Sequence, residues 1–126
     1  MNDAITHFKV PMNEGSACLG PDGSVAHVGH VLGMLSGRWK LPILFHLFAS
    51  PSMRSSQLLR EMSSISQKVL TQHLRDLEAD GLVERRDFHE QPPHVEYRLT
   101  RAGHELMPVL LAVREYSRSH PTAGQG

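Results

Sequence analysis

The chain has 126 residues, of which 40% are hydrophobic and 21% charged, and its 13 basic and 13 acidic side chains give a formal net charge of zero. These are the values of one globular domain, large enough to bury a core without disulfide or metal staples, and they exclude wholesale disorder. They also weigh against nucleic-acid binding through bulk charge, so any basic surface must be local.

Residues 1–24 read as an N-terminal arm, rich in Gly, Pro, Asn and Ser ("PMNEGSACLGPDGS"). The opening "MNDAITHFKV" lacks the basic-then-apolar pattern of a secretory signal. Cys18 is the sole cysteine, which excludes an intramolecular disulfide and fits a reducing compartment. No apolar run approaches the ~20 residues a membrane helix needs. The expectation is a soluble, cytoplasmic protein without a membrane partner.

A first helix is expected from Val25 to Leu35, where Val25, Val28, Val31, Leu32 and Leu35 recur at helical spacing despite two glycines. "SGRWKLPILFHLFASP" starts a second, with Pro42 in the tolerant first turn and Ile43, Leu44, Leu47 and Phe48 as its apolar face. A short third helix spans Ser55 to Met62, with Ser55 as its cap and Leu58, Leu59 and Met62 facing in. After the tight turn "SSIS", Ser66 caps a fourth helix that runs to about Asp80 and stops at Gly81. "LVERRDF" and "HVEYRLT" alternate with the two-residue period of paired strands, and "HEQPPH" between them is too long and proline-rich for a two-residue turn. Thr100 caps the last helix, where Leu106, Val109, Leu110 and Val113 share a side and Pro108 introduces a kink or offset. "PTAGQG", residues 121–126, is a tail. The fold class is mainly α with a small β-hairpin (α+β). A helix-turn-helix followed by a hairpin is the winged-helix arrangement, placed here over residues 25–120.

The fourth helix has two faces. At ~100° per residue, Leu70, Leu74 and Leu77 fall within roughly 60° of one another, and Lys68, Thr71, Gln72 and Arg75 gather about 170° away. Every side chain on that second stripe can donate a hydrogen bond and none is acidic, whereas Asp76, Glu78 and Asp80 fall off it or toward the C-terminal end. A merely solvated face would mix both signs. A major-groove helix needs an apolar anchor stripe with amide, hydroxyl and cationic groups opposite, reaching base edges and phosphates. The backbone amides at Ser66 and Gln67 would suit a phosphate oxygen. A chance polar stripe is the competing explanation. Arg85, Arg86 and Arg98 on the strands, with His89 and His94 at the tip, would let a wing follow the phosphate backbone. An ordinary surface hairpin is the alternative, since Glu84, Asp87, Glu90 and Glu96 dilute the positive field.

"GRWKLPILFHL", "ISQKVLTQHLRDLEADGLVERR" and "PPHVEYRLTRAGHEL", in this order, resemble the HxlR-type winged-helix transcriptional regulators from Gly37 through the last helix. The resemblance implies a homodimeric DNA-binding repressor or activator that dimerises through its N- and C-terminal helices. It implies DNA contacts at Ser66, Lys68, Thr71, Gln72 and Arg75, with Arg85 or Arg86 on the backbone. Family members place one cysteine before the tryptophan block, and in several that thiol senses oxidants or electrophiles. Cys18 is the candidate here, with "GPDGSVAH" as extra sequence before Trp39. The chain also has Ser55 where the family has phenylalanine.

Sensing would require an exposed thiol activated by a nearby cation or helix N-terminus; an unreactive cysteine is the alternative. His27 and His30 stand at helical spacing, but two histidines do not make a metal site, and no metal is expected. Trp39 and Phe45 read as core rather than ligand anchors, although relatives with a cavity near the dimer helices make a small effector conceivable. No phosphate loop or catalytic set has motif support, so neither an enzyme nor a cofactor is expected. The apolar side of the last helix exceeds what a small domain needs to cover itself, which favours a second copy. The reading is a homodimeric regulator of a pseudo-palindromic double-stranded DNA operator. The alternative is a winged-helix protein–protein interaction domain that does not bind DNA.

Overall fold

The computed structural model describes residues 17–122. Residues 1–16 of the expected arm and 123–126 of the tail lie outside the described residues. A 3-10 turn, Ala17–Leu19, leads into α1 (Ser24–Met34), α2 (Lys40–Ala49), α3 (Ser55–Glu61), α4 (Gln67–Ala79), the strands β1 (Val83–Asp87) and β2 (Val95–Leu99), and α5 (Arg101–Ser119). This is the winged helix-turn-helix expected from the pattern. Among the described residues no helix is long and apolar enough to cross a membrane.

Side-chain spacing decides what each helix buries. In α2, Ile43, Leu44 and Leu47 are buried, and Pro42 costs no helical bond because first-turn N–H groups have no partner in the helix. Phe48 does not join that face as expected, and Phe45 is not core. Ile43, Leu47 and Leu44 fill a buried arc of ~100° on the wheel, and Leu41, Phe45 and Phe48 fall beyond its edge as a separate exposed stripe. Ser55 is not the cap of α3 but its first residue. Arg54 holds the cap position, where its N–H donates to Gln57 Oε1 at 2.8 Å and its carbonyl accepts from Gln57 N–H at 3.0 Å. An arginine side chain has no acceptor, so the glutamine supplies the side-chain part of this cap.

α4 begins as expected, with Ser66 Oγ accepting from Val69 N–H at 3.1 Å. It ends in a complete Schellman motif: Gly81 takes φ +79°, its N–H reaches the Glu78 carbonyl, and Leu82 N–H reaches the Leu77 carbonyl. That turn hands the chain to β1, which pairs antiparallel with β2 from Val83 opposite Leu99 to Asp87 opposite Val95. A third edge comes from Met53, whose N–H and carbonyl both bond Tyr97. This ties the loop before α3 to the hairpin. α5 starts at Thr100, whose Oγ1 accepts from Gly103 N–H at 3.0 Å and donates to the Gly81 carbonyl at 2.5 Å. The helix continues through Pro108, and Met107 beside it is fully buried. The core therefore centres on Ile43, Leu44 and Leu47 from α2, Leu58 from α3, Leu70, Leu74 and Leu77 from α4, Val83 and Leu99 from the strands, and Met107 from α5.

Candidate nucleic-acid interface

α3 and α4 are joined through a turn whose ends are pinned. Met62 and Ile65 are buried, whereas Ser63 and Ser64 between them are exposed, and Ser64 adopts φ +80°. Anchoring both ends of so short a turn fixes α4 on α3, and the leucines leave only one face of α4 to point outward.

On that face Gln67, Lys68, Gln72 and Arg75 are exposed and Thr71 is half-buried. Ser66 uses a lone pair for its cap, which leaves its O–H to donate. The first-turn amides lack helical partners and form the positive end of the helix dipole, where an anion is favoured. Lys68 and Arg75 have no carboxylate within ion-pair distance among the described residues. One expectation needs correction: Asp76 is joined to the polar stripe. Gln72 Nε2 donates to Asp76 Oδ1 at 3.0 Å, because residues four apart meet on a helix surface. The other oxygen of Asp76 lies 3.8 Å from Lys40 Nζ, at the start of α2.

The strand register separates the wing arginines. Val83, Arg85 and Asp87 oppose Leu99, Tyr97 and Val95, while Glu84 and Arg86 oppose Arg98 and Glu96. Arg85 and Arg86 therefore project to opposite faces of the hairpin. Arg85 sits 3.8 Å from Asp87 and Arg98 pairs with Glu84 at 3.1 Å. Arg86 has no carboxylate partner among the described residues and lies over the Phe88 ring, 4.8 Å from its centroid. Of the three, Arg86 is the one whose charge is not already answered.

His94 is not a spare cation at the tip. It is half-buried, stacked on Phe88 at 4.3 Å, with Nδ1 3.1 Å from Glu90 and Nε2 2.6 Å from Glu96. Ser52 Oγ donates to the other oxygen of Glu96 at 2.5 Å, while His89 stays exposed and gives its backbone N–H to Asp87 at 2.8 Å. These donors lower two carboxylates. Glu96 falls below its ordinary 4.5 chiefly through the Ser52 hydroxyl and then His94, and Asp87 below 3.8 chiefly through the His89 amide. A carboxylate with a depressed folded pKa contributes stability above its unfolded value, and that contribution is lost as pH falls through the folded value. The windows therefore lie below pH 4.5 for Glu96 and below pH 3.8 for Asp87. Glu96→Gln is expected to lose less stability than the parent between about pH 5 and pH 3, measured as the urea midpoint. Parallel curves would remove Glu96 as a contributor.

Elsewhere, Cys18 is half-buried in the 3-10 turn, and its Sγ accepts from Ser24 Oγ at 3.1 Å. His27 and His30 are exposed on α1, and among the described residues no three metal-binding side chains are grouped to hold an ion. Beyond the α2 stripe, the most exposed apolar side chains of the helices lie on α1 and α5. Val25, Val28 and Leu32 are 59%, 55% and 62% exposed, and Val113 and Tyr116 are 60% and 67% exposed. Between these helices lies an apolar pocket of about 340 Å³ lined by Val28, Val31, Leu35, Leu106 and Leu110 among others. Sequence reasoning missed the Lys40–Asp76 pair and the carboxylate clamp on His94. The first has a local clue in the spacing of Gln72 and Asp76, but Lys40 reaches it only through the fold.

Comparison with known proteins gives a consistent family and fold. The family model described as HxlR-like helix-turn-helix matches residues 34–124. The uncharacterized HTH-type transcriptional regulator YybR of Bacillus subtilis (strain 168) is 39% identical over 100 residues, covering 79% of either protein. The structure is similar to the redox regulator HypR in its reduced form, with a TM-score of 0.67 and 39% identity over 73% of this chain and 90% of that one. It is likewise similar to the reduced form of the transcriptional regulator YodB from B. subtilis, with a TM-score of 0.70 and 28% identity over 77% and 94%.

Proposed function

The chain belongs to the HxlR-like helix-turn-helix family of transcriptional regulators, and from that premise we propose that it binds double-stranded DNA as a homodimer. Each protomer places α4 in a major groove and its hairpin along the flanking backbone, on a pseudo-palindromic operator with half-sites about one helical turn apart. The observation that carries this reading is the outward face of α4. Its donors stand opposite three buried leucines, and its one carboxylate is already bonded.

The roles follow from chemistry. Gln72 suits an adenine edge and Arg75 a guanine edge, while the Thr71 methyl suits thymine. Lys68, the Ser66 hydroxyl and the amides at Ser66 and Gln67 suit phosphates, with Arg86 more suited than Arg85 to do the same on the wing. Any thiol-based response of this chain runs through Cys18, its only cysteine, by modification or by a mixed or intersubunit disulfide. The relative HypR is described as a redox regulator, which supports looking for such a response here. A small apolar effector would fit the pocket between α1 and α5, which falls in the usual size range for ligand sites.

The test uses duplexes selected by the protein from a random pool. Gln72→Ala and Arg75→Ala should each weaken binding to the selected operator by about 1–3 kcal/mol, with the thermal midpoint unchanged. Lys68→Ala should weaken all duplexes alike and reduce the salt slope by about one. If Gln72→Ala and Arg75→Ala both hold the operator as the parent does, α4 is not the reading element and the protein-contact alternative takes its place.

A further inference from the structure

Lys40 and Asp76 each stand at an unfavourable end of their own helix. Lys40 is the first residue of α2, at the positive end of the dipole, where a cation is disfavoured. Asp76 lies in the C-terminal part of α4, where an anion is disfavoured. Lys40 is also the buried charged residue of the core region, its side chain only 11% exposed. Burial of an ammonium is costly unless a counter-charge answers it, and Asp76 Oδ2 at 3.8 Å provides one. The pair is thus poorly explained by the needs of either helix alone.

Its second oxygen gives the pair a different purpose. Asp76 Oδ1 accepts from Gln72 Nε2 at 3.0 Å, so one carboxylate bridges a buried cation and an exposed amide on the proposed reading face. A free glutamine side chain samples many rotamers and can present its amide either way round. With Nε2 bonded to a carboxylate, the assignment of oxygen and nitrogen is set, because a carboxylate accepts and never donates. One N–H and the carbonyl oxygen of Gln72 remain for a base edge, the donor and acceptor that adenine requires. An unanswered carboxylate at this place would repel phosphate; Lys40 offsets that charge without itself reaching the surface.

We propose that Asp76, held and neutralised by Lys40, is a positioning residue that fixes the Gln72 amide for base discrimination without touching DNA itself. The proposal rests on the reading of α4 as the base-reading helix, and the test separates the two.

The experiment is a double-mutant cycle on the operator selected by the parent protein, with each base pair substituted in turn. Gln72→Ala identifies the position at which discrimination depends on Gln72. At that position Asp76→Ala should lower discrimination about tenfold, part of what a bidentate base contact supplies. In the Gln72→Ala background Asp76→Ala should lower it no further. Lys40→Met should weaken selected and random duplexes by a similar factor, because the exposed carboxylate repels any phosphate backbone. Circular dichroism and thermal midpoints check each fold. If Gln72→Ala has no position-specific effect, the base-reading assignment itself fails, and the positioning role with it. The positioning role alone is overturned if Gln72 has such a position while Asp76→Ala leaves it unchanged. It is also overturned if Asp76→Ala reduces discrimination equally at every position, or adds fully to Gln72→Ala. Unchanged random-duplex binding in Lys40→Met overturns the neutralising role of Lys40.

Discussion

Gly103→Ala should lower the thermal midpoint by on the order of 10 °C, in a domain of this size equivalent to about 2 kcal/mol. Intrinsic propensity argues the other way, since alanine is favoured over glycine in a helix by about 1 kcal/mol. The contact decides the sign. Gly103 is buried in the first turn of α5, and an added Cβ would lie well inside van der Waals contact distance of the Leu82 carbonyl oxygen. It would also lie 3.2 Å from the Leu82 carbonyl carbon and 3.3 Å from Leu99 Cβ. None of these is a flexible side-chain end that can swing away. The Leu82 carbonyl accepts from Thr100 N–H at 3.0 Å, and Thr100 bonds the neighbouring Gly81 carbonyl while capping Gly103. Moving the oxygen would disturb the Schellman turn that ends α4 and the cap that begins α5. Overpacking of this kind costs about 1–3 kcal/mol, occasionally more, which exceeds the propensity gain. A thermal scan showing an unchanged or higher midpoint would mean that α5 rides over Leu82 with slack and that the joint is not fixed here.

That joint also marks how far the sequence could be read. α4 was legible because three leucines at helical spacing, a serine cap and a stop glycine all point to one answer. The hairpin was legible because Val83, Val95, Tyr97 and Leu99 keep the two-residue period on the core side. The errors fall where residue type alone does not decide what a position does. Ser55 has the chemistry of a cap, but Gln57 and the Arg54 backbone close the turn one residue earlier. Phe48 is as apolar as Leu47, yet it lies just past the edge of the arc that Ile43, Leu44 and Leu47 bury. The Met53 bridge to Tyr97 is a single residue pair, too short to leave a period.

The candidate site shows the same division. Which residues of α4 face outward followed from the wheel, and the fold agrees. Which of them are already engaged did not, because the ion-pair partner of Asp76 is contributed by α2. Composition lists thirteen cations, but availability is a property of pairs, and pairing across elements has no signature in one dimension.

Leu32→Glu combined with Val113→Glu should convert the protein from dimer to monomer and reduce operator affinity by about 10²–10⁴-fold, the factor lost when a second contact is no longer intramolecular. The case begins with α1. It has 11 residues, none buried, and glycines at 29 and 33. A helix shorter than ~12–15 residues is marginal by itself, and each interior glycine costs roughly 1 kcal/mol more, so α1 needs more packing than Val31 and Met34 receive from the core. Val25, Val28 and Leu32 offer an apolar stripe for it, and Val113 and Tyr116 extend the apolar surface on α5. A two-fold dimer buries the same patch on both copies and sets two α4 helices at a fixed separation, as a pseudo-palindrome demands. Glutamates at Leu32 and Val113 would place four like charges in that contact, at a desolvation cost no hydrophobic neighbour repays. Sedimentation should show the mass halving, and far-UV circular dichroism should show helix lost from α1 while the core remains. A duplex carrying one half-site should bind parent and variant about equally, which separates loss of dimerisation from damage to α4. A variant that stays dimeric would place the contact elsewhere on the surface. A parent that sediments as a monomer while holding the full operator would mean that these exposed side chains serve some partner other than a second copy.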